Sequence, residues 1–156
     1  MLFLSFTEAV AQDIALLNNE LSRFRAIDCQ LAIDNEVLTV NANSAGRDAV
    51  VDCDLASLAV VGPVELHFKM KTTVHGELGE YIAYWATEGS ADWDQFERVL
   101  LRPDGQWHDY RLPLAASGRL RAIRFTFGKQ AHQVALSDIH LASPSKVAIP
   151  EPSSSP

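Results

Sequence analysis

The sequence predicts a mainly β protein, namely a two-sheet antiparallel β-sandwich preceded by one N-terminal α-helix. The first observation is a change of hydrophobic period, which is helical up to residue 25 and becomes two from Cys29 onward. The second is that turn residues then recur at short intervals, which leaves room for about eight strands in roughly 115 residues. This density of strands is typical of a sandwich.

The predicted helix covers residues 5–25. Ser5 followed by Glu8 matches a capping box. An apolar stripe at spacings of four and three is formed by Val10, Ile14, Leu17, Leu21 and Phe24. Two interpretations of the stripe stay open: it packs on the sandwich, or it begins a short coiled coil that contacts a partner protein or a second copy of the chain.

The segment VELHFKMK is the clearest strand of the sequence. Its apolar and polar residues alternate, so we expect one face in the core and the other in solvent. The inward sets of this strand and of two like it are Val64, Leu66, Phe68 and Met70; Leu38, Val40 and Ala42; and Ile123, Phe125 and Phe127. Further strands are predicted near residues 50–53, 80–87, 96–102, 107–114 and 134–141.

Two segments break the alternation. In VALSDIHL one extra residue separates Leu136 from Ile139, which predicts a β-bulge at Ser137 and Asp138. In DGQWHDYRLPL the turn before Trp107 lets the chain bend, so that this side chain is expected to close the end of the sandwich. The residues that follow are expected in the core at Tyr110, Leu112 and Leu114, and in solvent at Asp109 and Arg111.

Composition limits the partners that the chain is expected to bind. The formal net charge of −7 argues against nucleic acid, because phosphate binding needs clustered Lys and Arg. Arg119, Arg121 and Arg124 are close in sequence but are expected on a solvated strand face. No export signal or membrane span is visible, so the expectation is a cytoplasmic protein without a membrane partner. Cys29 and Cys53 are expected as reduced thiols, although a disulfide between them stays open.

Three regions are predicted along the chain. Residues 1–27 form the N-terminal helix, residues 28–142 the sandwich and residues 143–156 a disordered tail. The tail is rich in Pro and Ser and has too little apolar surface to order itself. It is typical of a linker or a frayed end.

The order of these segments resembles the galactose-binding-like jelly rolls, a β-sandwich class that includes many carbohydrate-binding modules and accessory domains of bacterial polysaccharide enzymes. The residues that carry the resemblance are Gly105, Trp107, Tyr110, Leu112 and Leu114; then Ile123, Arg124 and Phe125; then Asp138, Ile139 and Leu141. It covers roughly residues 30–142 and leaves the helix unmatched. The resemblance implies a non-catalytic sandwich for which sugar is the expected ligand.

Sugar binding requires aromatic faces for the apolar side of a pyranose and planar polar groups for its hydroxyls. The stacking candidates are Tyr81, Trp85 and Trp93, and the polar candidates are Asp92, Gln95 and Arg124. On a strand, Tyr81 and Trp85 share one face, which is the outer face if Ile82 points into the core. The alternative is that Trp85 packs under the loop that holds Trp93.

No metal site and no cofactor are predicted. Asp92 and Asp94 are more typical of turn residues than of calcium ligands, and the histidines lack ligand spacing. The resemblance leaves two interpretations of Asp138: a structural calcium nearby, or a carboxylate that accepts backbone N–H groups at the bulge.

Three functional hypotheses remain open from the sequence. The leading one is a non-catalytic carbohydrate-binding or accessory module, attached to or working with a polysaccharide-active enzyme. The second is a structural or oligomerisation module that uses the helix of residues 5–25 and binds no small molecule. The third is a glycosidase or lyase whose carboxylates come from Glu77, Glu80, Asp92 or Glu97.

Overall fold

A computed structural model describes residues 13–18, 21–42, 48–72, 81–89, 93, 95–100, 102–128 and 133–144. The strands are β1 (Ile14–Ala15), β2 (Phe24–Ile27), β3 (Cys29–Asp34), β4 (Val37–Ala42), β5 (Val50–Asp54), β6 (Val61–Thr72), β7 (Tyr81–Thr87), β8 (Gln95–Val99), β9 (His108–Thr126) and β10 (Gln133–Ala142). A short 3₁₀ turn, Ala56–Leu58, follows β5.

The strands form two antiparallel sheets that share β9. In the first sheet the order is β3, β4, β10, β6 and β9, and β1 pairs with the end of β10. In the second sheet the order is β2, β5, β9, β7 and β8. Residues 108–119 of β9 pair with β6, and residues 120–126 pair with β5 and β7. The mainly β, sandwich part of the predicted fold class is therefore confirmed.

The core lies between the sheets and is built by the alternation that the sequence shows. The buried side chains include Leu38, Val40, Leu66, Phe68, Met70, Ile123, Phe125 and Phe127. Phe68 connects the two sheets, since its ring stacks on Tyr110 at 5.3 Å and meets Phe125 edge-on at 5.6 Å. The three inward sets were thus predicted well, with Val64 and Ala42 only partly buried.

The predicted β-bulge is confirmed. The register between β10 and β6 shifts between Ser137 and His140, and Asp138 has a φ of 50°. This left-handed residue takes up the extra position, so that Leu136 and Ile139 both reach the core.

The predicted N-terminal helix is wrong. Its residues 5–12 and 19–20 lie outside the described residues, and the rest of it forms β1, β2 and the segments beside them. The backbone N–H groups of Leu16 and Leu17 donate to Ile139 O at 2.8 and 3.3 Å. Beyond its bulge, β10 thus offers backbone carbonyl groups to another segment of the same chain. An extended segment uses them and still buries Leu16 and Phe24, so tertiary pairing overrides a helical period of only two heptads.

This correction also removes the helix-mediated contact with a partner protein or a second copy. Both β1 and β2 are members of the two sheets, so this part of the chain belongs to the sandwich. Of the predicted tail, residues 145–156 lie outside the described residues. In the described ranges no helix has the length and apolar character needed to cross a bilayer.

The segment after residue 106 agrees with the sequence except at its tryptophan. Tyr110, Leu112 and Leu114 are buried, and Asp109 and Arg111 are exposed. Trp107 is 40% exposed and lies on the outer side of the first sheet, where Lys71 Nζ is 5.2 Å from its ring centroid. It therefore does not close the end of the sandwich.

Candidate functional site

The outer face of the second sheet carries one continuous line of side chains across five strands. Directly opposite one another in the pairing register are Arg25 of β2, Asp52 of β5, Arg124 of β9, Tyr84 of β7 and Phe96 of β8. We call this set the aromatic row. Neighbouring side chains in such a row are close enough to touch, so the row forms one surface.

An ion pair holds the centre of the aromatic row. Arg124 donates from Nε to Asp52 Oδ1 at 2.6 Å and from Nη2 to Oδ2 at 2.8 Å. Both side chains are partly buried, with 27% and 18% of their surface exposed. The hydrogen bonds to Asp52 raise the pKa of Arg124. This bidentate geometry fixes the position of the guanidinium and balances its charge with the carboxylate.

Two aromatic residues adjoin this ion pair, and a third continues the surface on the next strand. The indole of Trp93 lies over the guanidinium of Arg124, with the ring centroid 4.5 Å from Cζ, and is 5.5 Å from Cζ of Arg121. On the other side of Arg124, the rings of Tyr84 and Phe96 are 5.7 Å apart and tilted by 46°. Phe96 is 48% exposed. The result is an aromatic surface with a fixed polar centre.

Two of the predicted stacking residues face the core instead. Tyr81 and Trp85 are only 2% and 4% exposed. Tyr81 meets Phe127 edge-on at 5.3 Å, and its hydroxyl shares a hydrogen bond with Thr72 at 3.3 Å. The outer face of β7 is therefore the one that carries Ile82 and Tyr84, so the condition under which Tyr81 and Trp85 would face outward is not met.

The other predicted residues divide between the site and its support. Trp93 lies over Arg124, which is a member of the aromatic row. Gln95 accepts a hydrogen bond from Trp85 Nε1 at 2.6 Å. Its amide therefore supports a buried indole and does not belong to the aromatic row. Asp92 lies outside the described residues.

Sequence reasoning missed Tyr84, Phe96 and Asp52. In YIAYWAT both faces of the strand carry an aromatic residue, so alternation alone does not say which face is buried. A usable signal was the next strand, QFERV, where Phe96 and Arg98 alternate with residues of the other face. Pairing that strand with β7 places Phe96 opposite Tyr84.

The residues considered for metal binding or acid–base chemistry can be located only in part. They contain no group of three or more His, Cys, Asp and Glu side chains that could hold a metal ion. The carboxylate of Asp138 is 61% exposed and lies 3.3 Å from His140 Nδ1. Of the four carboxylates weighed for an enzyme, Glu77, Glu80 and Asp92 lie outside the described residues, and Glu97 is half-buried on β8.

Solved structures that resemble this chain include carbohydrate-binding modules of family 29. One is a family 29 module from Piromyces equi, at 12% identity and a TM-score of 0.67, covering 86% of this chain and 92% of that one. Two others are variants of a family 29 module, one complexed with mannohexaose (14% identity, TM-score 0.66) and one with cellulohexaose (16%, 0.64). Each match covers 85% of this chain and 92% of the other. The fold is shared with family 29 carbohydrate-binding modules.

This similarity confirms the predicted jelly-roll fold and the predicted resemblance to carbohydrate-binding modules. No family model matches the sequence, and no curated protein matches it. At these identities the similarity with family 29 concerns the fold.

Proposed function

We propose that this chain is a non-catalytic carbohydrate-binding module that binds oligosaccharides on the aromatic row. The observation that carries the proposal is the set of Trp93, Tyr84 and Phe96 around the ion pair of Arg124 and Asp52. Aromatic faces suit the apolar side of a pyranose, and a fixed guanidinium and carboxylate suit its hydroxyls. The predicted roles of Trp93 and Arg124 are retained in this proposal.

The row is long enough for an extended ligand rather than a single sugar. It crosses five strands, and neighbouring strands are about 4.8 Å apart, so it extends over roughly 19 Å. A ligand of several sugar units would therefore contact the rings and the ion pair together. Mannohexaose and cellulohexaose are suitable probes because two modules of the same fold are complexed with them.

We propose the further step that the module works beside a polysaccharide-active enzyme. A binding surface without its own chemistry contributes by holding a linked or associated enzyme near its substrate, which raises the effective concentration. The Pro- and Ser-rich composition after residue 143 suits such a linkage.

The test is calorimetric titration of the protein with mannohexaose and cellulohexaose. Tyr84→Ala and Trp93→Ala are each expected to weaken binding about 30-fold, because truncating an aromatic residue at the centre of a binding surface costs about 2 kcal/mol. The matched control is Val61→Ala, which removes another exposed apolar side chain that is not in the row. Unchanged affinity in both aromatic variants, or binding to neither sugar, would overturn the proposal.

A further inference from the structure

The outer face of the first sheet, opposite the aromatic row, also carries a line of side chains in register. The pairing register places one residue of each strand opposite the next across the sheet: Ala15 of β1, His140 of β10, His67 of β6 and Arg111 of β9. We call this set the histidine row. The two imidazole rings are 4.9 Å apart and tilted by 55°. This face has no part in the proposed function above.

The histidine row is the floor of a cavity that continues into a second one. The first has a volume of about 410 Å³ and is lined by both histidines, Arg111, Lys69 and Asp138 among others. The second, of about 700 Å³, is lined by Lys69 and Asp138 as well and ends at Trp107. The two cavities adjoin at these shared residues, and we call them together the groove. Each volume lies in the range of small-molecule sites.

The groups in this groove match those that bind a polyhydroxyl ligand. His140 Nδ1 donates to the backbone carbonyl of Asp138 at 3.0 Å, which orients that ring. His67 Nε2 is buried, lies 3.5 Å from Glu65 Oε2 and makes no hydrogen bond within the described residues. At the other end, Trp107 presents a large aromatic surface that is only partly covered. An aromatic face near several planar polar groups is the combination that hydroxyl-rich rings require.

The charges of the groove favour a neutral ligand over an anion or a metal ion. Lys69 and Arg111 share the lining of the first cavity with Asp13, Asp109 and Asp138, so the formal charge of these side chains is −1. A phosphate or sulfate would need an excess of positive charge, which neither this lining nor the chain as a whole provides. A metal ion would need three suitable ligands together, and the described residues do not supply such a set.

We propose that this groove is a second carbohydrate-binding site for neutral oligosaccharides, so that one module binds two glycan chains on opposite sides of the sandwich. The two sites are separated by the full thickness of the core and share no lining residue. The module would therefore cross-link polysaccharide chains rather than only attach to one.

The experiment follows backbone and indole amide signals by NMR during titration with mannohexaose, cellulohexaose and xylohexaose. It uses two proteins, the unchanged chain and a Tyr84→Ala, Trp93→Ala variant whose aromatic row is disabled. We expect signals of Lys69, Trp107 and Arg111 to move with at least one sugar in both proteins. If these signals do not move with any of the three sugars, the second site does not exist, whether or not the signals of the aromatic row respond.

Trp107→Ala is the variant that tests the groove itself. It is expected to weaken binding there at least ten-fold and to leave the aromatic-row signals responding as before. Leu100→Ala, which removes a side chain that is 88% exposed and lines neither cavity, is the matched control. A well-dispersed spectrum of Trp107→Ala shows that the variant is folded, and unchanged binding in the groove would then contradict the proposal. Repeating the titration with Trp107→Ala added to the Tyr84→Ala, Trp93→Ala variant tests the groove without a working aromatic row, so its outcome is independent of the first proposal.

Discussion

The two outer faces of the sandwich are built on the same backbone plan but differ in how their charges are held. On the aromatic row, Arg124 and Asp52 are locked by two short hydrogen bonds and partly covered by Trp93. On the histidine row, the acid beside His140 is 61% exposed and belongs to a bulge. One face therefore presents an ion pair held by two hydrogen bonds, and the other presents two partly buried imidazoles, 18% and 20% exposed, beside an exposed carboxylate.

The comparison teaches that a sheet face becomes a binding surface through its side chains and not through its strand order. Both rows cross their sheets in perfect register, yet only one places three aromatic rings around an ion pair. A preorganised surface loses less conformational entropy when a ligand binds. We therefore expect tighter binding at the aromatic row than in the groove.

The largest expected effect separates the two sides of β7 and β8. Trp85→Ala should lower the free energy of unfolding by about 3–5 kcal/mol, because it empties a core position and leaves the amide of Gln95 without its indole partner. Phe96→Ala, on the outer side, should cost less than about 1 kcal/mol. Urea unfolding of both variants checks this. An equally large loss for Phe96→Ala would mean that the aromatic row supports the fold rather than a ligand.

A smaller effect concerns the ion pair. A double-mutant cycle with Asp52→Ala and Arg124→Ala should give a coupling energy of about 1–2 kcal/mol, since the pair is bidentate and partly buried. The exposed pair of Arg119 and Glu88, 3.2 Å apart, is the control and should give less than about 0.5 kcal/mol. Equal coupling energies would show that the centre of the aromatic row is no more rigid than ordinary surface.

The smallest effect is a loss of folding stability at alkaline pH, which arises from a thiol beneath the aromatic row. Cys53 lies on the core side of β5, and burial raises the pKa of its thiol from 9.0 to about 12. The thiol stays protonated in the folded protein, whereas it ionises above pH 9 in the unfolded chain. Stability is therefore fully present below pH 9 and falls as the pH rises toward 12, with a slope of at most about 1.4 kcal/mol per pH unit.

Unfolding measured from pH 8 to 10.5 in the unchanged protein and in Cys53→Ala tests this contribution. The slope should be shallower in the variant, and some slope should remain because burial also raises the pKa of Cys29 and of Tyr81. Identical slopes in the two proteins would show that Cys53 is accessible to water, and that the sheet beneath the row is looser than the structure indicates.

The sequence predicted the sandwich well wherever one face of a strand is plainly polar. In VELHFKMK the choice of inward face is unambiguous, and the extra residue between Leu136 and Ile139 was enough to locate the bulge. The site was predicted only in part, through Trp93 and Arg124. The face of β7 stayed open in the sequence because both of its sides are apolar, and only its partners decide between them: Gln95 beside Trp85, and Phe96 beside Tyr84.

The N-terminal error has a different physical origin. Apolar residues at spacings of three and four fit a helix, but an extended chain that pairs with a sheet edge buries Leu16 and Leu17 and leaves Leu21 39% exposed. That edge belongs to β10, more than a hundred residues later in the sequence. A local pattern holds no information about it.

The strand shared by both sheets constrains how this molecule can change over time. β9 places Arg111 in the histidine row and Arg124 in the aromatic row. Inserting or deleting one residue between them would reverse inside and outside in one half of the strand, and would turn one arginine toward the core. Descendants of this chain can therefore alter either face freely by substitution, whereas a change in length within β9 would survive only with a compensating bulge.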